Sequence, residues 1–244
     1  MSKKDNKQTL TCETDLSKIT GNTAIVKVGL LSPLHLGSGQ ADVNVDAEIV
    51  HDGCGLPFFP GKRFKGILYE SGLEITEMAG MPFDKADLEL IFGYSGRAAE
   101  QAWLVIPNLY LENYNQLKED ISYMLEKYPA AFTAQDVLES YTSLRYQTKI
   151  DTETGTAADT SLHNMRTVNS GLSFSGEITL HIPKDSGKPA LYYWQLLALA
   201  LRNLEACGLK RTRGFGRIHC SLEQNGKNIS NCLIENALKE GGKN

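Results

Sequence analysis

Two stretches of this chain read strand, helix, strand, and that repeated order limits the fold more than any other feature. In the first, Thr23 to Leu31 (TAIVKVGLL) is β-branched and apolar, as a strand requires. PGKRFKGILYESGLEITEMA begins at Pro60; its Phe64, Leu68 and Ile75, with Ile67 and Met78 beside them, recur at helical spacing. Pro60 suits a helix start because its missing N–H would have had no partner in the first turn. Ala102 to Leu111 (AWLVIPNLYL) reads as the next strand, weakened at Pro107, which cannot donate to a sheet ladder. In the second stretch, Leu172 to Ile182 alternates as a strand. Pro189 then opens a helix over 190–207, with Trp194, Leu197, Leu201 and Leu204 on one face and Gly208 at its end. Arg217 to Leu222 closes the unit as a strand, and Trp103, Tyr193 and Trp194 read as core.

Two such units predict an α+β fold with a ferredoxin-like, RRM-like core, the split βαβ arrangement. The domain runs over 23–222, between a polar N-terminal extension (1–22) and a C-terminal tail (223–244). Three insertions interrupt it. Residues 36–56 form a loop and hairpin in which Val43, Val45, Ala47 and Ile49 alternate with Asn44, Asp46 and Glu48 from Asp42 onward. Residues 112–139 hold six acids and two bases and read as surface helices, with Thr133 and Asp136 spaced as a capping box. Residues 143–171 are long, polar and Thr-rich, and so long a segment is functional or disordered. A short helix over 84–92 has Asp84 as its N-cap and Gly93 as its stop.

The formal net charge is −4, which argues against a chain coated in positive charge. It leaves room for a local basic track. The five cysteines are scattered without a CxxC pair, which fits reduced thiols in the cytoplasm. The five histidines have no HExxH pairing. No run of about 18 apolar residues exists to cross a membrane, and the polar N-terminus has no signal-type apolar stretch.

The segment GLKRTRGFGRI surrounds Lys210, Arg211, Arg213 and Arg217 with Gly208, Gly214 and Gly216. Residues 200–220 carry five bases against one acid. Glycine turns let backbone N–H groups approach a phosphate, and arginines bind phosphate through two bonds. Phe215 is placed to stack on a base. The other reading is a tight, solvated loop. A second cluster, Lys62, Arg63 and Lys65, sits in the first turns of a helix, where cations are unfavourable unless an anion binds. Asp42, Asn44, Asp46 and Glu48 share one face, which is either a carboxylate set for Mg²⁺ or the wet face of an exposed hairpin. His35 is a phosphate contact or a packed loop residue. His163 is a general base or an exposed loop residue.

LHLGSG after the first strand, LPFFPGKRFKG opening the first helix, IDTETGTA in the long insertion and the C-terminal GLKRTRGFGRI together resemble the RAMP superfamily of CRISPR-associated proteins. More narrowly, the combination resembles the backbone subunit of type III effector complexes. The resemblance implies a cytoplasmic subunit that binds guide RNA (crRNA) and pairs with target RNA. Its other partners would be further effector subunits, either copies of itself or paralogous RAMP chains. It implies metal-dependent endoribonuclease cleavage of the target at regular intervals, with Mg²⁺ or another divalent cation. NVDAEIV matches the family's catalytic loop, which places the catalytic and metal-binding aspartate at Asp46, with Asp42 as the alternative. RNA contacts would fall to His35, Ser38, Lys62, Arg63, Lys65, Lys210, Arg211, Arg213, Gly214, Phe215 and Arg217. Residues 146–171 match a thumb-like hairpin, with Ile150 and Met165 as wedges. A non-cleaving or capping subunit and a stand-alone guide-processing endoribonuclease are the competing readings.

Overall fold

The computed structural model describes residues 21–42, 45–93, 102–148, 150, 156 and 161–241. Most of the N-terminal extension, along with Val43 and Asn44, therefore lies outside the described residues.

Strand β1 (Thr23–Leu30) is the centre of the sheet. Its two-residue period buries Ala24, Val26, Val28 and Leu30 and turns Ile25 outward. It pairs antiparallel with β6 (Ser173–Leu180) on one side and β7 (Ile218–Gln224) on the other. The predicted strand at 102–111 is split into β2 (Leu104–Val105) and β3 (Tyr110–Leu111), both paired to β6. Pro107 falls between them, as its missing donor demands. The sheet therefore runs β7, β1, β6, then β2 and β3, which is the strand order of a ferredoxin-like split βαβ core.

Helix α1 (Gly61–Glu77) buries Phe64, Leu68, Ser71, Gly72 and Ile75, one stripe of its surface. It lies against α5 (Ala190–Asn203), and the Ser71 hydroxyl donates to the Ala200 carbonyl at 2.8 Å. Every residue from Tyr193 to Leu201 is buried, because the sheet covers α5 on one side and helices cover it on the other. The helix stops at Asn203, short of the expected 207. Both expected capping boxes form, at Asp84–Asp87 for α2 (Lys85–Phe92) and at Thr133–Asp136 for α4 (Ala134–Tyr141). Helix α3 (Tyr114–Lys127) precedes α4 and buries no residue, as its acidic composition implies.

Three expectations are corrected. The segment after 222 is not a plain tail. β7 continues to Gln224, β8 (Lys227–Asn228) pairs with it, and α6 (Ser230–Gly241) packs on α5 through buried Leu233 and Ala237. Residues 42–50 do not form a continuous strand either; they make only isolated bridges, among them Gly37 with Ile49 and Ala47 with Met165. The long insertion does contain a hairpin. Its stem is β4 (Thr142–Gln147) paired with β5 (His163–Val168), while Lys149, 151–155 and 157–160 lie outside the described residues. Cys54, Cys207 and Cys220 are free thiols, but Cys232 is in a disulfide, which departs from the expectation of reduced thiols throughout. Among the described residues no helix is long and apolar enough to cross a membrane.

Candidate nucleic-acid interface

Four segments, the last of them far from the others in sequence, wall one open cavity of about 630 Å³. They are the loop from His35 to Ala41, the turn Asp46 to Glu48, the start of α1 with Phe59 just before it, and Gly208 to Arg211. Each is held in place by backbone packing.

The start of α1 is pinned by Phe59, whose N–H and C=O both pair with Leu109 at 2.8 Å. Gly61 N donates to Asn108 Oδ1 at 3.0 Å. A Cβ on Gly61 would meet the Pro107 carbonyl oxygen at 2.3 Å, so only glycine allows this approach. The basic residues that follow are then spread around the helix, at about 100° per residue. Arg63 turns into the cavity and donates from Nη2 to the Gly37 carbonyl at 2.9 Å. Ile67, one turn later, lies on the same wall. Lys62 is exposed. Lys65, expected on RNA, is half-buried and does not line the cavity; its Nζ donates to the Leu104 carbonyl at 2.7 Å. Burial lowers its pKa below the usual 10.5, since removing water disfavours the charged form.

The glycine loop is also used differently from the expectation. Gly208 backs onto the loop after β1, where a Cβ would meet Leu34 Cδ1 at 2.7 Å and the His35 carbonyl oxygen at 2.8 Å. Gly216 has φ +72, and a Cβ there would sit 1.8 Å from the Cys207 carbonyl oxygen. Its N–H donates to Pro33 and its carbonyl accepts from Cys207. These two glycines serve packing between loops. Gly214 alone of the three has open space around it. Between them, a single 3-10 turn (Arg211–Arg213) runs from Lys210, at φ 60, to Gly214. It projects the exposed side chains of Arg211 and Arg213 outward, and Arg211 borders the cavity. Lys210 Nζ donates to Gln147 Oε1 of β4. Burial, and then the Arg213 guanidinium, lower the Lys210 pKa. Phe215 is half-buried and the Arg217 side chain is exposed.

Two residues expected on RNA turn inward. His35 is 2% exposed, and its Nδ1 donates to the Arg166 carbonyl at 2.7 Å. Ser38 donates to the Glu48 carbonyl and accepts from Gln40 N, so its hydroxyl shapes the loop. His163 is exposed at the start of β5, as a loop-like residue would be, and its Nδ1 donates to the Ser161 carbonyl.

The three acidic positions of this set, Asp42, Asp46 and Glu48, do not share a face. Asp46 is exposed on the cavity. Asp42 pairs with Val45 through the backbone and is not among the cavity walls. Asn44 lies outside the described residues. Glu48 is buried: its Oε2 accepts from Arg166 Nε at 3.0 Å and its Oε1 from Ile49 N at 2.8 Å. Arg166, 3% exposed, also donates to Thr142 Oγ1. A buried ion pair of this kind is costly to break from one side, because the other charge is left uncompensated. The Glu48–Arg166 pair was missed from sequence. Its only signal is an arginine between inward positions of a strand, Met165 and Thr167.

Met165 is buried and bridged to Ala47, so it cannot act as a wedge. Ile150 is 64% exposed, as that role requires. Tyr146 and Leu162, which the sequence reading passed over, are equally exposed apolar residues of the same hairpin.

Among the described residues no three His, Cys, Asp or Glu side chains gather as a cation site. With Glu48 consumed by Arg166, the cavity offers one exposed carboxylate. Mg²⁺ keeps several waters and is often bound by one or two carboxylates together with substrate phosphates, so Asp46 fits as a partial site that a phosphate completes.

The sheet order, the glycine loop packed on the loop after β1 and the hairpin insertion define a class. The model of the RAMP superfamily matches residues 27–219, and the chain belongs to that superfamily. Similar folds occur in two cryo-EM structures. A chain of type III-B Cmr-beta in the apo state superposes with a TM-score of 0.61 at 13% identity, covering 84% of this chain and 98% of that one. A chain of type III-B Cmr-beta bound to cognate target RNA gives 0.59 at 13% identity, with 87% and 98% covered. No curated protein matches the chain in sequence.

Proposed function

We propose that this chain is a cytoplasmic, guide-RNA-binding backbone subunit of a type III-like CRISPR effector complex, and that target RNA is cut beside Asp46. The observation that carries the reading is the convergence of Arg63, Arg211 and Asp46, from three separate segments, on one cavity. The fold neighbours include a type III-B chain solved with cognate target RNA, which agrees with this assignment. The partners are guide crRNA, target RNA and neighbouring effector subunits, either copies of this chain or paralogous RAMP subunits.

Each residue has a distinct task. The Arg63 and Arg211 guanidiniums each offer a planar fork of donors that matches phosphate oxygens. Placed on one cavity, they would guide the RNA backbone along it. Ile150, with Tyr146 and Leu162, gives the hairpin an apolar surface against unstacked bases. Asp46 would hold a divalent cation, which when bound neutralises charge developing on the scissile phosphate. The rest of the rate comes from holding the bent strand in line for attack. A stand-alone processing enzyme would need a histidine or tyrosine acid–base site. The histidine in the cavity wall, His35, is instead buried and bonded to Arg166.

A second reading, a non-cleaving subunit, is favoured by the Asp46 carboxylate accepting from Asn164 N, an ordinary structural use. One experiment separates the two. In a reconstituted complex, Asp46→Ala is expected to slow metal-dependent target cleavage by about 100-fold or more while guide and target binding persist. Unchanged cleavage by Asp46→Ala would remove the catalytic assignment and leave the structural one.

A further inference from the structure

The turn that carries Asp46 has no regular secondary structure, yet its backbone is fixed. Asp46 N donates to Asn164 Oδ1 at 2.9 Å, and Asn164 N returns a bond to Asp46 Oδ2 at 2.8 Å. Arg166 N donates to the Ala47 carbonyl at 3.0 Å, and the buried Arg166–Glu48 pair follows one residue later. His35 Nδ1 closes the same edge on the Arg166 carbonyl. The turn is thus laid along the edge of β5 that β4 does not occupy. Arg63 and Arg211 border the same cavity, but the hydrogen bonds that hold Asp46 come from the hairpin.

We propose that Asn164 is a positioning residue for Asp46, which it holds in the geometry for target cleavage while the Arg166–Glu48 pair fixes the register of the turn against β5. This rests on the reading of Asp46 as the residue beside which the target is cut. Without the Oδ1 bond the turn backbone at Asp46 would be held less firmly, and each misplaced arrangement of the carboxylate it carries lowers the fraction of complexes ready to react. Asn164 grips both the backbone and the side chain of Asp46, and it stands on a hairpin strand. RNA that bears on the hairpin therefore bears on Asp46 as well, which couples duplex seating to cleavage.

The test uses the reconstituted complex with guide RNA and a matched target RNA. Asn164→Ala removes the Oδ1 acceptor that holds the Asp46 backbone N–H and keeps the backbone N–H bond to the carboxylate, so it tests the side chain's hold on the turn; the position is half-exposed, so the fold survives. The expected result is an about tenfold slower single-turnover rate at saturating target, with target Kd within twofold of wild type. The Mg²⁺ concentration giving half the maximal rate should rise. Asn169→Ala, which loses a bond from Ser143 on the same hairpin away from Asp46, should cleave at the wild-type rate. A wild-type rate in Asn164→Ala, a parallel loss of target affinity, or an equal loss in Asn169→Ala overturns the proposal. Asp46→Ala runs alongside. If it cleaves normally, both the reading of Asp46 and this proposal fall. If it is inactive while Asn164→Ala is normal, only the proposal falls.

Discussion

At the start of α1, Lys62, Arg63 and Lys65 ride a helix, and its period scatters them: one into solvent, one into the cavity, one onto the Leu104 carbonyl. In the glycine loop, Lys210, Arg211 and Arg213 occupy one tight turn. There the left-handed residues at each end keep the Arg211 and Arg213 side chains on the surface, while Lys210 reaches β4. Both segments looked alike as basic clusters in an acidic chain. The difference teaches that charge density in sequence becomes a charged surface only where the backbone gathers the side chains. A helix start leaves one of its three cations on the cavity, whereas the turn keeps two arginines together on the surface, one of them at the cavity.

The comparison breaks most visibly at the glycines. Gly216→Ala sets a Cβ against the Cys207 carbonyl oxygen at a positive φ. A clash with backbone plus left-handed strain should cost about 3 kcal/mol or more. In a domain of this size that lowers the melting temperature by roughly 6–12 °C. Gly214→Ala, with the same sign of φ and open space, should cost only about 1 kcal/mol. Thermal denaturation distinguishes them, and equal shifts would mean that the loop is not anchored through Gly216.

A smaller effect separates Lys65 from Arg63. Lys65→Met should leave RNA affinity within twofold of wild type, as read in a filter-binding titration. It should also alter the alkaline stability profile. The folded pKa of Lys65 lies below 10.5, so between that pKa and 10.5 the unfolded chain binds more protons. Stability then rises with pH through this window, and the cost of the buried charge is fully present below it. Lys65→Met should flatten that rise; denaturant melts between pH 8 and 10.5 would show it.

Much of the fold was legible because period-two burial in β1 and β6 and the stripe Phe64, Leu68, Ile75 of α1 are local signals. The capping residues Asp84 and Thr133 were legible for the same reason. Of the candidate site, the sequence pointed to 208–213, where Arg211 does border the cavity, though Gly208 serves packing. The site was not legible where a partner is remote. Glu48 reads as the twin of Asp46, and only Arg166, 118 residues away, buries it. Met165 and His35 turn inward for the same reason: the loop after β1 and the turn at Asp46 add onto β5, a pairing that no local pattern announces. Helix α6 was missed because its apolar positions stand among polar residues and find their partners, mainly on α5, far away in sequence.

The central claim is that RNA runs across the cavity between Arg63 and Arg211. The salt dependence of guide-RNA affinity tests it most directly. Each phosphate contact to single-stranded RNA adds about 0.7 to the slope of log affinity against log salt. The Arg63→Ala/Arg211→Ala double variant should therefore bind more weakly, with a slope shallower by about 1.4. Neutralising Glu119 and Glu126 on α3 should leave the slope unchanged. An unaltered slope and affinity in the arginine double variant would contradict the account.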